Sequence, residues 1–296
     1  MSTSLVSQDV KIRFGSKEVL RGFSFEARPS DIVFIAGRNG AGKTTWIRIA
    51  TGLMRSTSGR VSYNGHKTVS HDGVRLSVVF DEPPVYPTLT GKENLRALAG
   101  LNKFDGVAKA TLDSFQLDPA MLKIKAGHYS YGQKHRLSMA AAMLRQPTHL
   151  FLDEPADGLD PVAWGQVEQG IRSMASGGAT VVLTGQDFDL VESLASRVVV
   201  LHEGITAFEG PPGELIGKFP PSIFVRADDV EAIKRMFPDA RRVDQEGSLL
   251  EIVCASDADL EQAALKLQRA QTPLKEMYVR KKSLKEAFLE TIGGAA

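Results

Sequence analysis

A glycine-rich segment near the start of the chain has the residue types and spacing of a phosphate-binding loop. The pattern G-x-x-x-x-G-K-[ST] is matched by Gly37-Arg38-Asn39-Gly40-Ala41-Gly42-Lys43-Thr44. It follows an apolar, strand-like stretch (31–36) and precedes a helix-like one (45–51). Glycines let backbone N–H groups turn towards phosphate oxygens, Lys43 would reach the β and γ phosphates, and Thr44 would bind Mg²⁺. This predicts a nucleoside triphosphate site; the alternative is a strand-to-helix turn that binds no nucleotide.

Two adjacent acids end a second apolar stretch, 149–152. In a P-loop protein the acid at such a strand end lies beside the phosphate loop and holds Mg²⁺, which assigns that role to Asp153. Glu154, one residue later, is placed to orient or deprotonate the attacking water. A strand-end acid pair alone would be typical of a solvated turn, but together with the P-loop it indicates phosphoryl chemistry.

The composition is that of an ordinary globular protein and excludes several function classes. The chain has 296 residues, 43% hydrophobic and 24% charged, with a formal net charge of +1. This near-neutral balance leaves no bulk basic field for nucleic acid. The one cysteine, Cys254, is expected to be buried and apolar in a reducing compartment. We expect no zinc cluster and no membrane-spanning segment.

The six histidines show no metal-ligand spacing, so Mg²⁺ is the only cation that we infer. We expect all six to lie at the surface or at strand ends: His66, His71, His128, His135, His149 and His202.

Element patterns place these motifs in an α/β domain followed by a smaller one. A hairpin is predicted over 5–27, and apolar stretches alternating with helical ones from 149 to 202 indicate a parallel sheet. Residues 82–147 are mostly helical. Paired prolines at 211–212 and 220–221 mark the end of the first domain, which we place at 1–217. The order in 218–296, with a hairpin turn at 245–247, is βαββαβ, a ferredoxin-like α+β arrangement.

Two further segments make a family resemblance specific. Tyr129-Ser130-Tyr131-Gly132-Gln133 is similar to the signature L-S-G-G-Q, and the segment 155–161 to the D-loop that follows the Walker B strand. Over the first domain the chain resembles the nucleotide-binding subunits of ATP-binding-cassette (ABC) transporters, and most the drug and bacitracin-type exporters. The resemblance implies a P-loop NTPase cassette with an N-terminal antiparallel β subdomain and a helical insertion. It also implies a head-to-tail dimer in which each ATP lies between one P-loop and the other chain's signature.

The resemblance assigns roles residue by residue. Phe14 would stack on adenine, although a core position is the alternative. Glu154 would be the catalytic base, assisted by Asp81 and Gln186, and Thr44, Asp153 and Asp81 would serve Mg²⁺. The remaining nucleotide contacts would come from Gly37, Arg38, Asn39, Gly40, Ala41, Gly42, Lys43, Thr44, Thr45, Ser130, Tyr131, Gly132, Gln133 and Asp160.

Two positions depart from the family pattern. Asp81 stands where the family usually has glutamine; it is shorter and adds negative charge near the γ-phosphate, so we expect contact through water. Gln186 aligns with the family's switch histidine; it can donate to the γ-phosphate but cannot carry a charge or relay a proton. We therefore expect slow hydrolysis, or a site that works only with a complementary partner.

The partners follow from the same resemblance. The region of Tyr86 and Leu89 would hold the coupling helix of a transmembrane permease, or these side chains would merely pack the helical insertion. The chain would lie in the cytoplasm, peripheral to the inner face of the membrane, as a homodimer or with a sister cassette. We interpret 218–296 as an accessory, dimerisation or regulatory domain. The rival functions are a regulatory module that senses ATP with negligible hydrolysis, and a soluble cassette ATPase acting on nucleic acid or ribosomes.

Overall fold

A computed structural model of the chain describes residues 4–66, 73–100, 106–157, 159–244, 248–270 and 272–293. The predicted turn at 245–247, Gly158 of the D-loop segment and His71 lie outside these residues. The chain divides into two compact units, Met1–Pro212 and Gly213–Ala296, whereas the sequence placed the boundary after residue 217.

The strands and helices alternate through much of the chain. The strands are β1 (Leu5–Phe14), β2 (Lys17–Ala27), β3 (Ile32–Ala36), β4 (Ser58–Tyr63), β5 (Leu76–Val79), β6 (His149–Asp153), β7 (Thr180–Gly185), β8 (Arg197–His202), β9 (Ile205–Gly210), β10 (Ser222–Ala227), β11 (Arg241–Arg242), β12 (Leu249–Val253) and β13 (Leu274–Arg280). The α-helices are α1 (Lys43–Ala50), α2 (Gly91–Ala99), α3 (Gly106–Ser114), α4 (Tyr131–Leu144), α5 (Pro161–Ser176), α6 (Phe188–Glu192), α7 (Pro212–Gly217), α8 (Val230–Met236), α9 (Asp257–Gln268) and α10 (Leu284–Gly293).

A six-stranded sheet in the order β5-β6-β7-β3-β8-β9 forms the centre of the first unit. Its strands are parallel except β9, which runs antiparallel to β8. The strands β3, β6 and β7 are buried along their whole length, as their continuous apolar sequences require in a sheet covered on both faces. The register pairs Ala36 with Gly185 and Asp153 with Thr184, so the P-loop and the acid pair leave the sheet at the same edge.

A three-stranded antiparallel sheet, in the order β2-β1-β4, forms the N-terminal β subdomain. The predicted hairpin is present as β1 and β2, and β4 adds a strand that the sequence did not predict. Trp46 of α1 is fully buried among Phe23, Phe25 and Phe151, with ring centroids 4.9 to 6.0 Å apart. Its indole N–H donates to Ser7 Oγ at 3.0 Å. This packing fixes α1, and with it the P-loop, between the two sheets.

Helices α2, α3 and α4 occupy the region predicted to be helical. Thr90 begins α2 and Ser130 begins α4, each with a complete capping box, which defines where both helices start. The helix α4 corrects one expectation about the histidines. His135, expected at the surface or a strand end, lies within α4 at 0% exposure, where burial lowers its pKa.

The second unit contains an antiparallel sheet in the order β11-β12-β10-β13, with α8 and α9 supplying residues to its core. The elements follow the βαββαβ order that the sequence predicts, and α10 comes after them. Ile223, Val225, Leu250 and Ile252 project into the core. Cys254 is 3% exposed, which confirms the buried apolar role expected for it.

Candidate nucleotide-binding site

The P-loop has a backbone that requires glycine. Gly42, the residue before α1, has φ 109°, and a Cβ there would lie 2.9 Å from Leu20 Cδ2. A Cβ on Gly37 would lie 2.9 Å from the carbonyl oxygen of Leu201. Gly40 has φ +76° and open space beside it. A side chain at position 37 or 42 would therefore clash with its neighbours, whereas the open space beside Gly40 leaves room for a ligand.

Lys43 is held inside this loop by two oxygen atoms. Its Nζ donates to the carbonyl oxygen of Gly37 at 2.9 Å and lies 3.4 Å from Glu154 Oε1, with only 6% of the Lys43 side chain exposed. A buried ammonium needs such partners because its desolvation is otherwise costly. The loop thus brings a cation and the predicted catalytic base into direct contact.

Thr184 forms hydrogen bonds with both Asp153 and Glu154 at the end of β6. Its hydroxyl donates to Asp153 Oδ1 at 2.5 Å, and Asp153 is 3% exposed. The Glu154 N–H in turn lies 3.3 Å from Thr184 Oγ1 and 3.2 Å from the Thr184 carbonyl oxygen. Sequence analysis missed Thr184, although a polar residue at the end of an apolar strand, two positions before Gln186, was the available signal.

Glu154 has the backbone and the electrostatics of a functional residue. Its φ is +51°, in the left-handed region that non-glycine residues seldom occupy; such strain concentrates at functional sites. Burial raises the pKa of its carboxyl, and the charges of Asp157 and Asp153 act in the same direction, while Lys43 opposes them. A raised pKa makes the carboxylate a better proton acceptor near neutral pH.

Gln186 follows β7 and is exposed. The preceding residue, Gly185, permits a close approach, since a Cβ there would lie 3.3 Å from Glu154 Oε2. This brings the backbone next to Gln186 against the predicted base.

Asp157 belongs to the same neighbourhood and was not predicted as a charged member of the site. Its pKa is raised by burial and then by the charges of Asp81 and Asp187, with Lys43 opposing. Glu154 and Asp157 therefore both lie within electrostatic reach of the Lys43 ammonium, an excess of negative charge that favours a bound cation.

Asp81 contacts Tyr131 of the signature segment. The Tyr131 hydroxyl donates to Asp81 Oδ1 at 2.8 Å and lies 2.7 Å from the Asp81 carbonyl oxygen. Burial and this carboxylate raise the pKa of Tyr131, so the phenol stays protonated and remains a donor. The tyrosine at the signature's first glycine position thus joins the start of α4 to the segment after β5.

The other predicted contact residues lie at element ends. Ser130 caps α4: it accepts from the Gln133 N–H at 3.3 Å, and its own N–H donates to Gln133 Oε1 at 2.9 Å. Asp160 caps α5, and Phe14 ends β1 at 49% exposure. Arg38 and Asn39 are exposed. Across the described residues neither Ser130 nor Asp160 hydrogen-bonds to the P-loop, so the structure brings together the P-loop, Asp153 and Glu154 but not the signature.

The residues at the sheet edge fit a magnesium nucleotide. Thr44, in the first turn of α1, is partly exposed, and one oxygen of Asp153 accepts from Thr184. Hydroxyl and carboxylate oxygens are the donors that Mg²⁺ prefers. Within the described ranges no group of three or more His, Cys, Asp or Glu could hold a metal ion by itself.

Comparison with known proteins assigns the family. Residues 20–157 match the family described as ABC transporter. The chain is 32% identical over 221 residues to the daunorubicin resistance ATP-binding protein DrrA3 of Streptomyces coeruleorubidus, an alignment that covers 72% of this chain and 70% of that protein. It belongs to the ABC transporter ATP-binding proteins. The Nod factor export ATP-binding protein I of Burkholderia pseudomallei (strain 1710b) is 35% identical over 216 residues, with 71% of each chain covered.

A solved structure of an ATP binding subunit of an ABC transporter has the same fold. Its TM-score is 0.64 at 24% identity, and the match covers 90% of this chain and 99% of that one. The predicted cassette fold is thereby confirmed for this ABC ATP-binding subunit. Within the described residues, none of its helices has the length and apolar character needed to cross a membrane.

Proposed function

We propose that this ABC ATP-binding subunit binds MgATP between two cassettes arranged head to tail and hydrolyses it to drive a separate transmembrane subunit. The observation that carries the proposal is the cluster at the sheet edge. Glu154 lies 3.4 Å from the P-loop Lys43, and Thr184 holds the main chain of Glu154 and the side chain of Asp153. A general base beside a phosphate-binding lysine is what water attack on a γ-phosphate requires.

Each residue of the cluster has a distinct role. The P-loop N–H groups and the start of α1 bind the phosphates, and Lys43 exchanges its contact with Glu154 for the β and γ phosphates. Thr44 and Asp153 would hold Mg²⁺, which would supply positive charge beside the phosphates. Glu154, once released from Lys43, orients the attacking water and accepts its proton.

Asp81 and Gln186 make this site slower than one with the family's usual residues. Gln186 can donate an amide hydrogen to the γ-phosphate but brings no positive charge. Asp81 adds negative charge, and one of its oxygens is already bound by Tyr131. Both effects reduce stabilisation of the charge that develops on the transferred phosphoryl group.

The signature completes the site from a second cassette. Ser130 and the backbone at Gly132 begin α4, and a helix start that carries free N–H groups binds phosphate oxygens. Neither reaches the P-loop of its own chain by hydrogen bonds in the described residues, which supports a site shared between two chains. The same arrangement assigns Asp160 and the D-loop segment to the dimer interface.

The permease would dock beside the helical region. Tyr86 is 53% exposed, and a groove of about 240 Å³ nearby is lined in part by Leu76, Val78, Pro84 and Leu98. An amphipathic helix of a membrane partner fits an apolar groove of this kind. The relatives named for daunorubicin resistance and for Nod factor export favour export as the direction of transport, with the subunit held at the cytoplasmic face of the membrane by its partner.

Steady-state MgATP hydrolysis by the purified chain tests this proposal. We expect Glu154→Gln to abolish turnover while MgATP binding is retained, and Gln186→His to raise turnover. The matched control is Glu214→Gln, an exposed glutamate of α7, which should leave both unchanged. Bound nucleotide without turnover in the wild type and in Gln186→His would instead establish the regulatory module with negligible hydrolysis.

A further inference from the structure

Strand β13 forms one edge of the sheet in the second unit and has exposed apolar side chains. Strand β13 pairs with β10 on one side, and no strand of the described residues pairs with its other side. Met277, Tyr278 and Val279 are 39%, 41% and 50% exposed. A seven-residue edge strand with exposed apolar side chains is a template for pairing with another strand.

Two faces of β13 carry different chemistry. Met277 and Val279 pair across the sheet with Val225 and Ile223, which point into the core, so they extend the apolar face. Tyr278 lies on the opposite face, where it stacks on Phe224 with centroids 5.2 Å apart and an interplanar angle of 5°. Glu276 and Arg280 share that face with it because side chains alternate along a strand.

From this pattern we infer that β13 pairs antiparallel with β13 of a second copy of the chain, about a two-fold axis through Tyr278. Met277 then faces Val279 of the second copy, Glu276 faces its Arg280, and the two Tyr278 rings meet at the axis. The two sheets become one, since a two-fold interface repeats each contact.

Other registers of this pairing match the side chains less well. A shift of one residue in one direction sets Lys275 opposite Arg280, which repel, and a shift of two sets Glu276 opposite Tyr278. A shift in the other direction places Glu276 opposite a lysine but sets Met277 opposite Arg280 or Lys281. In the register centred on Tyr278 the like-charged pair, Lys275 and Lys281, lies at the ends, and each lysine is already paired within its own chain, with Asp228 and Asp257 respectively. This register therefore matches both the apolar and the charged side chains of the edge.

The charged pairs extend networks that already exist in each chain. Arg226 lies 3.3 Å from Glu276, and Arg280 is paired with Glu286. Pairing adds a contact from Glu276 of one copy to Arg280 of the other, giving rows of alternating charge on both sides of the axis. Exposed ion pairs add little free energy, so they select the register while the backbone and apolar contacts hold the strands together.

The inference that a second copy of the chain pairs with β13 rests on the proposed function as well as on the complementarity of the strand. A cassette that works as a dimer brings two copies of the second unit into one assembly. The edge pairing deepens that proposal by naming a contact between the copies that needs no nucleotide.

A thiol cross-linking experiment on the full chain tests the pairing. The chain has one cysteine, Cys254, and it is buried, so a single introduced cysteine reports on its own position. Tyr278→Cys, without nucleotide and with a short bis-maleimide, should give a dimer at least about tenfold faster than Leu265→Cys, an exposed position on α9, through the high effective concentration at the axis. Equal rates at the two positions, or no dimer at Tyr278→Cys, overturn the inference.

A second pair of variants checks the register and the role of the apolar contacts. A mixture of Met277→Cys and Val279→Cys chains should cross-link faster than either alone. Met277→Lys combined with Val279→Lys should convert a nucleotide-free dimer to a monomer by light scattering, with circular dichroism showing that the fold persists. A wild-type monomer at tens of micromolar overturns the inference. Because these assays contain no ATP, their failure leaves the hydrolysis proposal standing, and loss of hydrolysis leaves the edge pairing standing.

Discussion

The hydrogen bond between Tyr131 and Asp81 joins the signature segment to a position that departs from the family sequence, and a double-mutant cycle tests the coupling of the two residues. Tyr131→Phe removes the hydroxyl, whose single hydrogen is shared between two oxygens of Asp81 at 2.7 and 2.8 Å, but keeps the ring that stacks on His135 at 6.0 Å. Asp81→Ala removes the carboxylate and leaves the main-chain carbonyl as the acceptor. The two changes should therefore be non-additive.

The magnitudes follow from the types of bond. A hydrogen bond to a charged group contributes about 1.5–3 kcal/mol when buried, and one to a neutral carbonyl about 1 kcal/mol. Tyr131 is 43% exposed, so solvent places both contributions at the low end of these ranges. Because the single hydroxyl hydrogen serves both oxygens, the two contributions do not add. We expect Tyr131→Phe to lower the free energy of unfolding by about 1.5 kcal/mol in the wild type and by about 0.5 kcal/mol in Asp81→Ala.

Urea unfolding of the nucleotide-free chain, followed by fluorescence and circular dichroism, measures these values. Tyr86→Phe is the control, because the hydroxyl of this exposed tyrosine has no hydrogen bond to the described residues; it should change the stability by less than about 0.5 kcal/mol. Equal costs of Tyr131→Phe in both backgrounds would show that the hydroxyl does not depend on the Asp81 carboxylate, which would refute the coupling.

Three further predictions concern polar and charged groups of the first unit. Thr184→Val should lower kcat for ATP at least about tenfold, near 1.4 kcal/mol, with a smaller change in KM, because Asp153 and Glu154 lose their shared partner; Thr184→Ser should restore activity. Asp157→Asn should move the acid limb of the kcat profile to lower pH, because its charge helps to raise the pKa of Glu154; an unmoved limb would contradict this. Burial lowers the pKa of His149 to about 4 from 6.5, so the unfolded chain alone binds a proton between these values. The free energy of unfolding should fall as pH drops from 6.5 towards 4, and His149→Gln should flatten that fall in pH-dependent urea unfolding.

Continuous apolar stretches and glycine motifs made much of the fold predictable from the sequence. The strands β3, β6, β7 and β8 have buried centres and were predicted because their central residues are continuously apolar. By contrast, β4, β5 and β9 were missed: β5 has only four residues, and β4 and β9 are partly exposed, so none carries a strong pattern. The helix α6 was predicted over 187–195 but spans Phe188–Glu192.

The candidate site was predictable where chemistry depends on spacing along the chain. The P-loop, Asp153 and Glu154 follow from local motifs, and the sheet register then brings them together. Thr184 reaches Asp153 from the neighbouring strand, and Tyr131 reaches Asp81 from a helix 50 positions away. Contacts of this kind depend on which strands and helices become neighbours, and periodicity within one segment does not contain that information.

The ion pair between Lys43 and Glu154 links the phosphate-binding lysine to the proposed general base. In the proposed mechanism, phosphate competes with the Glu154 carboxylate for the Lys43 ammonium. Removing Lys43 to a phosphate leaves a partly buried carboxylate without its cation, which makes it more basic at the moment when water must be deprotonated. The contact that offsets the buried charge of Lys43 therefore also makes the basicity of Glu154 depend on phosphate binding.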